Sequence, residues 1–221
     1  MRTMIAVPCM DQVHTSFFRS CVGLELNGEV QWTTCQSSLI YDARNKLAEL
    51  ALGGGFDRVL WLDSDMVFDR YLFRRLSEHL DQGREMITGI YFGRKPPVRP
   101  VLYKSLRTEY DADGLPTPKA DPFDDYERDS LFEVAGCGFG AVMMTTELLR
   151  KVRDKYRLPF FPVNGFGEDF AFCLRVRELG HRIWCDSSIK LGHEGTTVID
   201  EEYFEKSEEL RVQSEETEET A

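Results

Sequence analysis

Residues 58–66 read Arg-Val-Leu-Trp-Leu-Asp-Ser-Asp-Met, and the fold of the chain is organised around this stretch. Its first five residues are rich in Val, Leu and Trp and do not alternate with polar residues, which predicts a strand buried on both faces. The strand then ends in Asp63, Ser64 and Asp65. If the backbone stays extended there, both carboxylates project to one side and can face a single cation. The ordinary alternative is a turn or helix cap that only ends the strand.

The composition is that of an ordinary folded domain. The chain has 221 residues, of which 42% are hydrophobic and 29% charged, and this is enough for one domain with a substantial core. No apolar run approaches the roughly 20 residues that a membrane span requires, and the N-terminus does not read as a signal peptide. The six cysteines show no C-x-x-C spacing, so we expect reduced thiols and a cytoplasmic protein.

The negative charge is concentrated near the C-terminus. The net charge is −11, and residues 200–221 hold ten acidic and two basic residues, which leaves −3 for residues 1–199. We therefore expect a catalytic or binding domain over residues 1–199 and an acidic, flexible tail over residues 200–221. Neither part offers the basic patch that duplex DNA requires.

Strand-like and helix-like segments alternate through the first half of the chain. Strands are predicted near residues 3–9, 30–35, 58–62 and 86–92, with helices near 17–26, 39–52 and after Asp69. This order predicts an α/β fold with a mostly parallel sheet flanked by helices, and it places ligands at the carboxyl ends of the strands.

Two later segments read as irregular structure. Residues 109–130 are polar and contain three prolines, which predicts a long loop that is either a binding lid or disordered. Residues 192–195 are predicted to form a turn.

Glu168 and Asp169 open a predicted helix. Acids in a first helical turn are explained by the helix dipole alone. Asp169, however, shares an apolar stripe with Phe172, Cys173 and Val176, so its carboxylate is predicted to face the protein. An inward carboxylate at this position is a candidate general base, whereas Glu168 lies on a more mixed face.

Arg44 borders the buried stripe of the helix near residues 39–52. A guanidinium in this position requires an anion, and either a phosphate or Asp63 could supply it.

Gly136, Gly138 and Gly140 are spaced G-x-G-x-G, unlike the G-x-G-x-x-G fingerprint of dinucleotide binding. They indicate either positive φ at a tight strand entrance or backbone that comes close to a bound sugar. His193 is either an ordinary core or surface imidazole or a metal ligand that acts with Asp65.

The chain resembles the GT-A glycosyltransferases, in particular family 2-like members, over residues 3–195. The resemblance rests on short segments in a fixed order: Ile5-Ala6-Val7-Pro8, Ala43-Arg44-Asn45, Leu62-Asp63-Ser64-Asp65, Gly138-Phe139-Gly140-Ala141, Gly167-Glu168-Asp169 and His193. It implies a GT-A, Rossmann-like domain that transfers a hexosyl or related sugar from a nucleotide-diphosphate donor, with a UDP-sugar as the first expectation. It also implies a bound Mn²⁺ or Mg²⁺.

The same resemblance assigns roles to individual residues. Asp65, His193 and Asp63 would hold the metal, with Asp63 alternatively near the ribose. The donor would also contact Pro8, Arg44, Ser64 and Gly138. Asp169, with Glu168 beside it, would deprotonate the acceptor hydroxyl, so that transfer inverts the anomeric configuration. The acceptor could be a small molecule, a glycan, a protein or, with less support, a nucleic acid.

Two other functions stay open. A sugar nucleotidyltransferase would use the same carboxylates, but it usually carries a glycine-rich, basic loop after the first strand. Residues 8–12, Pro-Cys-Met-Asp-Gln, contain neither glycine nor Lys or Arg, which argues against it. The second alternative is a module that binds a nucleotide or sugar without catalysis.

Overall fold

The computed structural model describes residues 1–195 and 198–206. The first half of the chain contains β1 (Arg2–Cys9), α1 (Thr15–Gly23), β2 (Glu29–Gln36), α2 (Ile40–Gly53), β3 (Arg58–Leu62), β4 (Met66–Val67), α3 (Leu72–Asp81) and β5 (Met86–Ile90). The second half contains β6 (Leu102–Tyr110), β7 (Pro116–Pro122), β8 (Leu131–Val134), β9 (Gly136–Cys137), β10 (Ala141–Thr145), α4 (Thr146–Tyr156), α5 (Glu168–Glu178), β11 (Ile183–Lys190), β12 (Gly192–Glu194) and β13 (Val198–Ile199).

Seven strands form the central sheet in the order β2-β1-β3-β10-β5-β11-β8. Strands β2, β1, β3, β5 and β11 point the same way, whereas β10 and β8 run antiparallel to their neighbours. Helices cover both faces of the sheet, because a parallel connection needs a crossover that packs on one face. The predicted single α/β domain with a mostly parallel central sheet is confirmed.

Strand β3 is buried along its whole length because both faces of the sheet are covered. On one face Trp61 packs against Phe160 with ring centroids 4.9 Å apart, and Phe160 stacks on Phe172 of α5 at 4.6 Å. On the opposite face Leu60 belongs to a cluster that includes Phe73 of α3. Each large side chain buried in this way stabilises the fold by roughly 1.5–3 kcal/mol, so β3 is held firmly up to the residue before Asp63.

The long loop predicted over residues 109–130 is wrong for its first part, which belongs to a hairpin. Strands β6 and β7 pair antiparallel along their lengths. The carboxylate of Asp111 closes the turn between them by accepting hydrogen bonds from the amides of Asp113 and Leu115, at 2.9 and 2.8 Å. The three prolines favoured the loop prediction. They fit a strand here because β7 pairs with β6 alone within the described residues, and an edge strand tolerates proline.

The turn predicted over residues 192–195 is also wrong, because three of these residues form β12. This strand pairs antiparallel with β4, and His193 lies opposite Met66 in the register. Since Met66 directly follows Asp65, the pairing brings His193 to the acidic residues after β3. A strand of three residues leaves no periodicity in the sequence, and only its long-range partner defines it.

The start of the predicted tail packs on the domain. Residues 201–206 are helical, and Phe204 is 7% exposed and stacks on Phe92 with ring centroids 4.7 Å apart. Glu201 accepts a hydrogen bond from the Tyr126 hydroxyl at 3.2 Å and pairs with Lys190. The folded unit therefore extends beyond the predicted boundary at residue 199, and residues 207–221 of the predicted tail lie outside the described residues.

Candidate functional site

The polar residues after β3 form a tight turn and do not continue the strand. The amide of Met66 donates to the carbonyl of Asp63 at 3.2 Å, and the amide of Asp63 donates to the carbonyl of Gly140 at 3.1 Å. The expectation of extended backbone through Asp63 and Asp65 is therefore wrong. The turn instead gives the two carboxylates different partners.

Arg44 of α2 connects the acidic turn to the start of α5. Its guanidinium binds Asp63 through Nη2 at 2.8 Å and Glu168 through Nε at 3.4 Å, and it lies over the Phe139 ring at 5.2 Å. Arg44 is 2% exposed. Burial raises the pKa of Asp63, although the charge of Arg44 opposes the shift. Of the two anions considered for Arg44 from the sequence, the structure supplies Asp63.

Asp169 lies in the first turn of α5, where it is half-buried. Burial raises the pKa of Asp169 from 3.8 to about 7, and the negative charge of Glu168 adds to the shift. The amide of Phe170, which donates to Oδ1 at 2.8 Å, and the charge of Arg44 oppose it. A carboxyl group with a pKa near 7 gains and loses its proton around neutral pH, as a general base must.

Asp65 lies against Arg94 and His193. Its Oδ2 atom lies 3.0 Å from Nη1 of Arg94 and 3.4 Å from Nε2 of His193. Burial tends to raise the pKa of Asp65, but His193 and Arg94 outweigh it and lower the pKa. Arg94 is itself fixed by a 2.7 Å hydrogen bond to the carbonyl of Glu194. Asp65 is therefore a stable anion at neutral pH.

The predicted metal ligands are only partly brought together. The Nδ1 atom of His193 donates to the carbonyl of Phe92 at 2.9 Å. Nε2, which faces Asp65, therefore donates to that carboxylate when the ring is protonated and offers its lone pair to a metal when the ring is neutral. Asp63 is bound to Arg44. Within the described ranges, no group of three or more His, Cys, Asp or Glu side chains is close enough to hold a metal ion. Asp65 and His193 meet, and Asp63 does not complete a three-ligand set with them.

Two glycines make room for Tyr91. A Cβ on Gly138 would lie 1.9 Å from the Tyr91 hydroxyl, and one on Gly140 would lie 3.0 Å from the Tyr91 ring. The amide of Gly140 donates to this hydroxyl at 3.4 Å. Neither Gly138 nor Gly140 has positive φ, so the predicted strand entrance with positive φ is wrong. These glycines instead allow the backbone to come close to Tyr91. Contact between Gly138 and a sugar stays a prediction.

A cleft of about 350 Å³ opens where β1 and β3 end. It is lined by Pro8, Cys9, Met10, Ser37, Ser38, Ile40, Asp63, Ser64, Asp65, Tyr91, Arg94 and His193. Five of the predicted site residues are among them: Pro8, Asp63, Ser64, Asp65 and His193. The other predicted residues do not line the cleft, and Arg44 reaches it through its ion pair with Asp63.

Sequence reasoning missed Tyr91 and Arg94. Both follow β5, whose carboxyl end lies at the same edge of the sheet as that of β3. The rule that ligands bind at the carboxyl ends of parallel strands could have identified them from the sequence. Burial raises the pKa of Tyr91, and the charges of Asp63 and Asp169 add to the shift, so Tyr91 lies within electrostatic reach of both carboxylates. Ser37 and Ser38, which follow β2, were missed for the same reason.

A larger cavity of about 590 Å³ lies between α2 and residues 157–159. Its lining is mainly apolar and contains none of the predicted site residues. We place the functional site in the smaller cleft because it lies at the carboxyl ends of the parallel strands, where open α/β sheets bind their ligands.

Comparison with known proteins supports the fold. No model of a protein family matches the chain, and no curated protein matches it. Among solved structures, A197 from STIV aligns over 90% of this chain and 94% of its own, with a TM-score of 0.64 and 20% sequence identity. The chain shares the fold of A197. TarS 1-349 of S. aureus aligns over 80% of this chain and 55% of its own, with a TM-score of 0.47 and 13% identity, which is too distant a likeness to carry an argument.

The likeness to A197 and the order of the strands agree with the GT-A-like fold predicted from the sequence. Among the described residues, no helix is both long enough and apolar enough to span a membrane.

Proposed function

We propose that this protein is a glycosyltransferase, similar to family 2 members, that transfers a sugar from a nucleotide-diphosphate donor to an acceptor hydroxyl. The observation that carries the proposal is the cleft at the carboxyl ends of β1 and β3, which is lined by Asp65, His193 and Arg94. Asp63 and Tyr91 also line this cleft, and both lie within electrostatic reach of Asp169. The GT-A-like fold supports it, because open α/β sheets bind their ligands at this edge. The cytoplasmic location expected from the sequence belongs to the same proposal.

In this proposal the donor lies along the cleft. Pro8 and Ser64 contact the nucleotide, with UDP as the first candidate, and Asp63 faces the ribose. Arg94 provides positive charge near the diphosphate, whose negative charge grows as it departs. Arg44 is a positioning residue, because its guanidinium is already occupied by Asp63 and Glu168.

Asp65 and His193 are the residues that would hold Mn²⁺ or Mg²⁺, with diphosphate oxygens as further ligands. The fit rests on the Nε2 lone pair of His193, fixed by the bond from Nδ1 to Phe92, and on Oδ2 of Asp65 3.4 Å away. Oε2 of Glu194, next in the chain, is buried without a hydrogen-bond partner in the described part of the chain. A bound ion would supply positive charge that stabilises the departing diphosphate.

Asp169 is the proposed general base. It accepts the proton of the acceptor hydroxyl while that oxygen bonds to the anomeric carbon and the diphosphate leaves from the opposite face, so the configuration inverts. The neighbouring charge of Glu168 helps to keep the pKa of Asp169 near 7. Glu168 therefore acts by tuning the base and by holding Arg44.

Calorimetric titration of UDP, GDP and their sugar conjugates, with and without Mn²⁺, tests the proposal. We expect cation-dependent binding of one diphosphate, which also identifies the donor base. Failure of every nucleotide to bind would contradict the proposal. Nucleoside triphosphate turnover with a sugar phosphate would favour a nucleotidyltransferase, and binding without any turnover would favour the non-catalytic module.

A further inference from the structure

A second cleft, of about 550 Å³, adjoins the donor cleft. The two clefts share Arg94 and His193 in their linings, so a ligand in one would lie next to a ligand in the other. The second cleft is formed almost entirely by residues 93–103, with His193 as the exception. It is the most direct continuation of the proposed donor site.

The lining of this second cleft is cationic in an acidic protein. Arg94, Lys95 and Arg99 contribute three positive charges, and no acidic residue lines it, although the chain as a whole has a net charge of −11. The exposed Lys95 forms no ion pair within the described residues. Arg99 pairs with Asp124 at 3.2 Å, but both side chains are 42% exposed, and such a pair exchanges easily for another anion.

One wall of the second cleft packs against the residue next to the proposed base. Tyr103 lines it, and the Tyr103 ring packs on Phe170 with centroids 4.7 Å apart. Phe170 directly follows Asp169. Burial raises the pKa of Tyr103, and the charge of Asp169 adds to the shift, so the two groups interact. A molecule in this cleft would therefore lie against Tyr103, which contacts the residue next to Asp169, and beside the proposed donor cleft.

Backbone hydrogen bonds fix the segment that presents the cations. The amide of Gly93 donates to the carbonyl of Arg99 at 2.9 Å, and the amide of Val101 donates to the carbonyl of Tyr91 at 3.0 Å. Three prolines lie between these anchors, and proline restricts the backbone further. The backbone that carries the three cations is therefore held in place, and only their side chains need ordering when an anion binds.

We propose that the second cleft is the acceptor subsite and that the acceptor carries a phosphate group, bound by Lys95 and Arg99 with Arg94 at the junction. This inference rests on the proposed function. Guanidinium and ammonium groups are the side chains that bind phosphate most strongly. The phosphate belongs to the acceptor and not to the donor because Lys95 and Arg99 line the second cleft and not the donor cleft.

The test uses glycerol 3-phosphate as the probe and glycerol as its neutral match. Both are titrated into the full chain, with and without saturating UDP and Mn²⁺, while backbone amide signals are followed by NMR. We expect glycerol 3-phosphate to shift the amides of residues 93–103 in both conditions, and glycerol to leave them unchanged. The double variant Lys95→Ala/Arg99→Ala should bind the phosphate at least tenfold more weakly and UDP within about twofold of wild type.

Lys46→Ala, which removes an exposed lysine of α2 paired with Asp42, is the control and should bind the phosphate as wild type does. Equal phosphate binding by the double variant would overturn the inference, as would displacement of glycerol 3-phosphate by UDP, which would assign the cations to the donor. Failure of UDP to bind would instead count against the proposed function. The two failures are distinguishable because phosphate and UDP binding are measured separately.

Discussion

At the scale of single residues, burial determines the chemistry of this site. Arg44 and Asp63 are drawn from water into one contact, and Asp169 acquires a pKa of about 7 largely through burial. Asp65, by contrast, keeps a lowered pKa because His193 and Arg94 face it. Two carboxyl groups of the same type thus differ in proton affinity, one with a raised pKa and one with a lowered pKa.

Replacing Asp169 by Asn should remove the base and retain the shape. We expect UDP affinity to stay within about twofold and the rate of sugar transfer or donor hydrolysis to fall by about 10²–10⁴-fold. In the wild type, the rate should rise with pH with a midpoint of about 7, because the carboxylate is the active form. Normal transfer by the variant would rule out Asp169 as the base.

The stability of the protein should also depend on the protonation of Asp169. The free energy of unfolding should fall as the pH rises, whereas the reaction rate should rise. The pKa of Asp169 in the folded state, about 7, is above its ordinary value of 3.8, so the folded state binds the proton more tightly. This stabilisation is complete below the unfolded pKa and is lost as the pH rises through about 7. Urea unfolding across this pH range should show a decrease in the free energy of unfolding of the wild type. The decrease should be smaller in Asp169→Asn.

Arg44→Met should destabilise the protein strongly. The change leaves Asp63 and Glu168 without their buried partner, which typically costs about 3–5 kcal/mol in the free energy of unfolding. Arg70→Met is the matched control, because its pair with Glu25 is exposed and should contribute less than about 1 kcal/mol. Equal losses in the two variants, measured by urea unfolding, would show that Arg44 does not hold the site together.

Asp65→Ala tests the proposed cation site. We expect the gain in UDP affinity on adding Mn²⁺ to fall by about tenfold or more, because a carboxylate ligand is lost. Asp113→Ala, in the exposed turn between β6 and β7, is the control and should keep the full Mn²⁺ effect. An unchanged Mn²⁺ effect in Asp65→Ala would place the cation elsewhere.

At the scale of secondary-structure elements, short strands and turns place the side chains of the site. The pairing of β12 with β4 brings His193 to the acidic turn. The segment between β9 and β10 passes close to Tyr91 just after β5, which is possible only because Gly138 and Gly140 lack side chains. These contacts join parts of the chain that are far apart in sequence.

Gly138→Ala should destabilise this junction because the new Cβ would lie 1.9 Å from the Tyr91 hydroxyl. Overpacking of this kind costs about 1–3 kcal/mol. Tyr91→Phe in the same chain should recover part of the loss, since it removes the clashing oxygen. Gly53→Ala, at the end of α2 with no atom within 4 Å of the new Cβ, is the control and should be neutral or slightly stabilising. Absence of any recovery in the double variant would contradict the assigned clash.

At the scale of the whole molecule, an acidic chain surrounds the site proposed to bind negatively charged ligands. The net charge of −11 opposes the approach of a nucleotide diphosphate. Arg94, Lys95 and Arg99 supply local positive charge that reduces this repulsion near the proposed site. The C-terminal segment returns to the domain near the same region, because Phe204 stacks on Phe92 and Phe92 accepts a hydrogen bond from His193. Folding of that segment is thereby connected to the edge of the site.

Phe204→Ala should lower the free energy of unfolding by roughly 2–4 kcal/mol, because it leaves a cavity against Phe92. Tyr203→Ala, one residue earlier and 41% exposed, is the control and should change it by less than about 1 kcal/mol. Thermal and urea unfolding measure both variants. Equal stability of the two would show that the segment after residue 199 does not contribute to the folded unit.

The pattern of amino acids along the chain predicts the main strands and helices, the buried central strand, and the clustering of Pro8, Asp63, Ser64 and Asp65 at one edge of the sheet. It also indicated that Arg44 and Asp169 turn inward. These features are local: they follow from the period of apolar residues along the chain and from the rule that parallel strands end at one edge. A pattern within some ten residues is sufficient to establish them.

Three features became visible only in the folded chain: Asp63 and Asp65 have different partners, His193 lies on a strand, and Tyr91 and Arg94 line the cleft. The folded chain also revealed the hairpin of β6 and β7. Each of these features depends on pairing between segments that are distant in sequence. Such pairing produces no periodic pattern of apolar residues along the chain. The physical reason is that hydrogen bonds and close packing between distant segments form only once the sheet has brought them together.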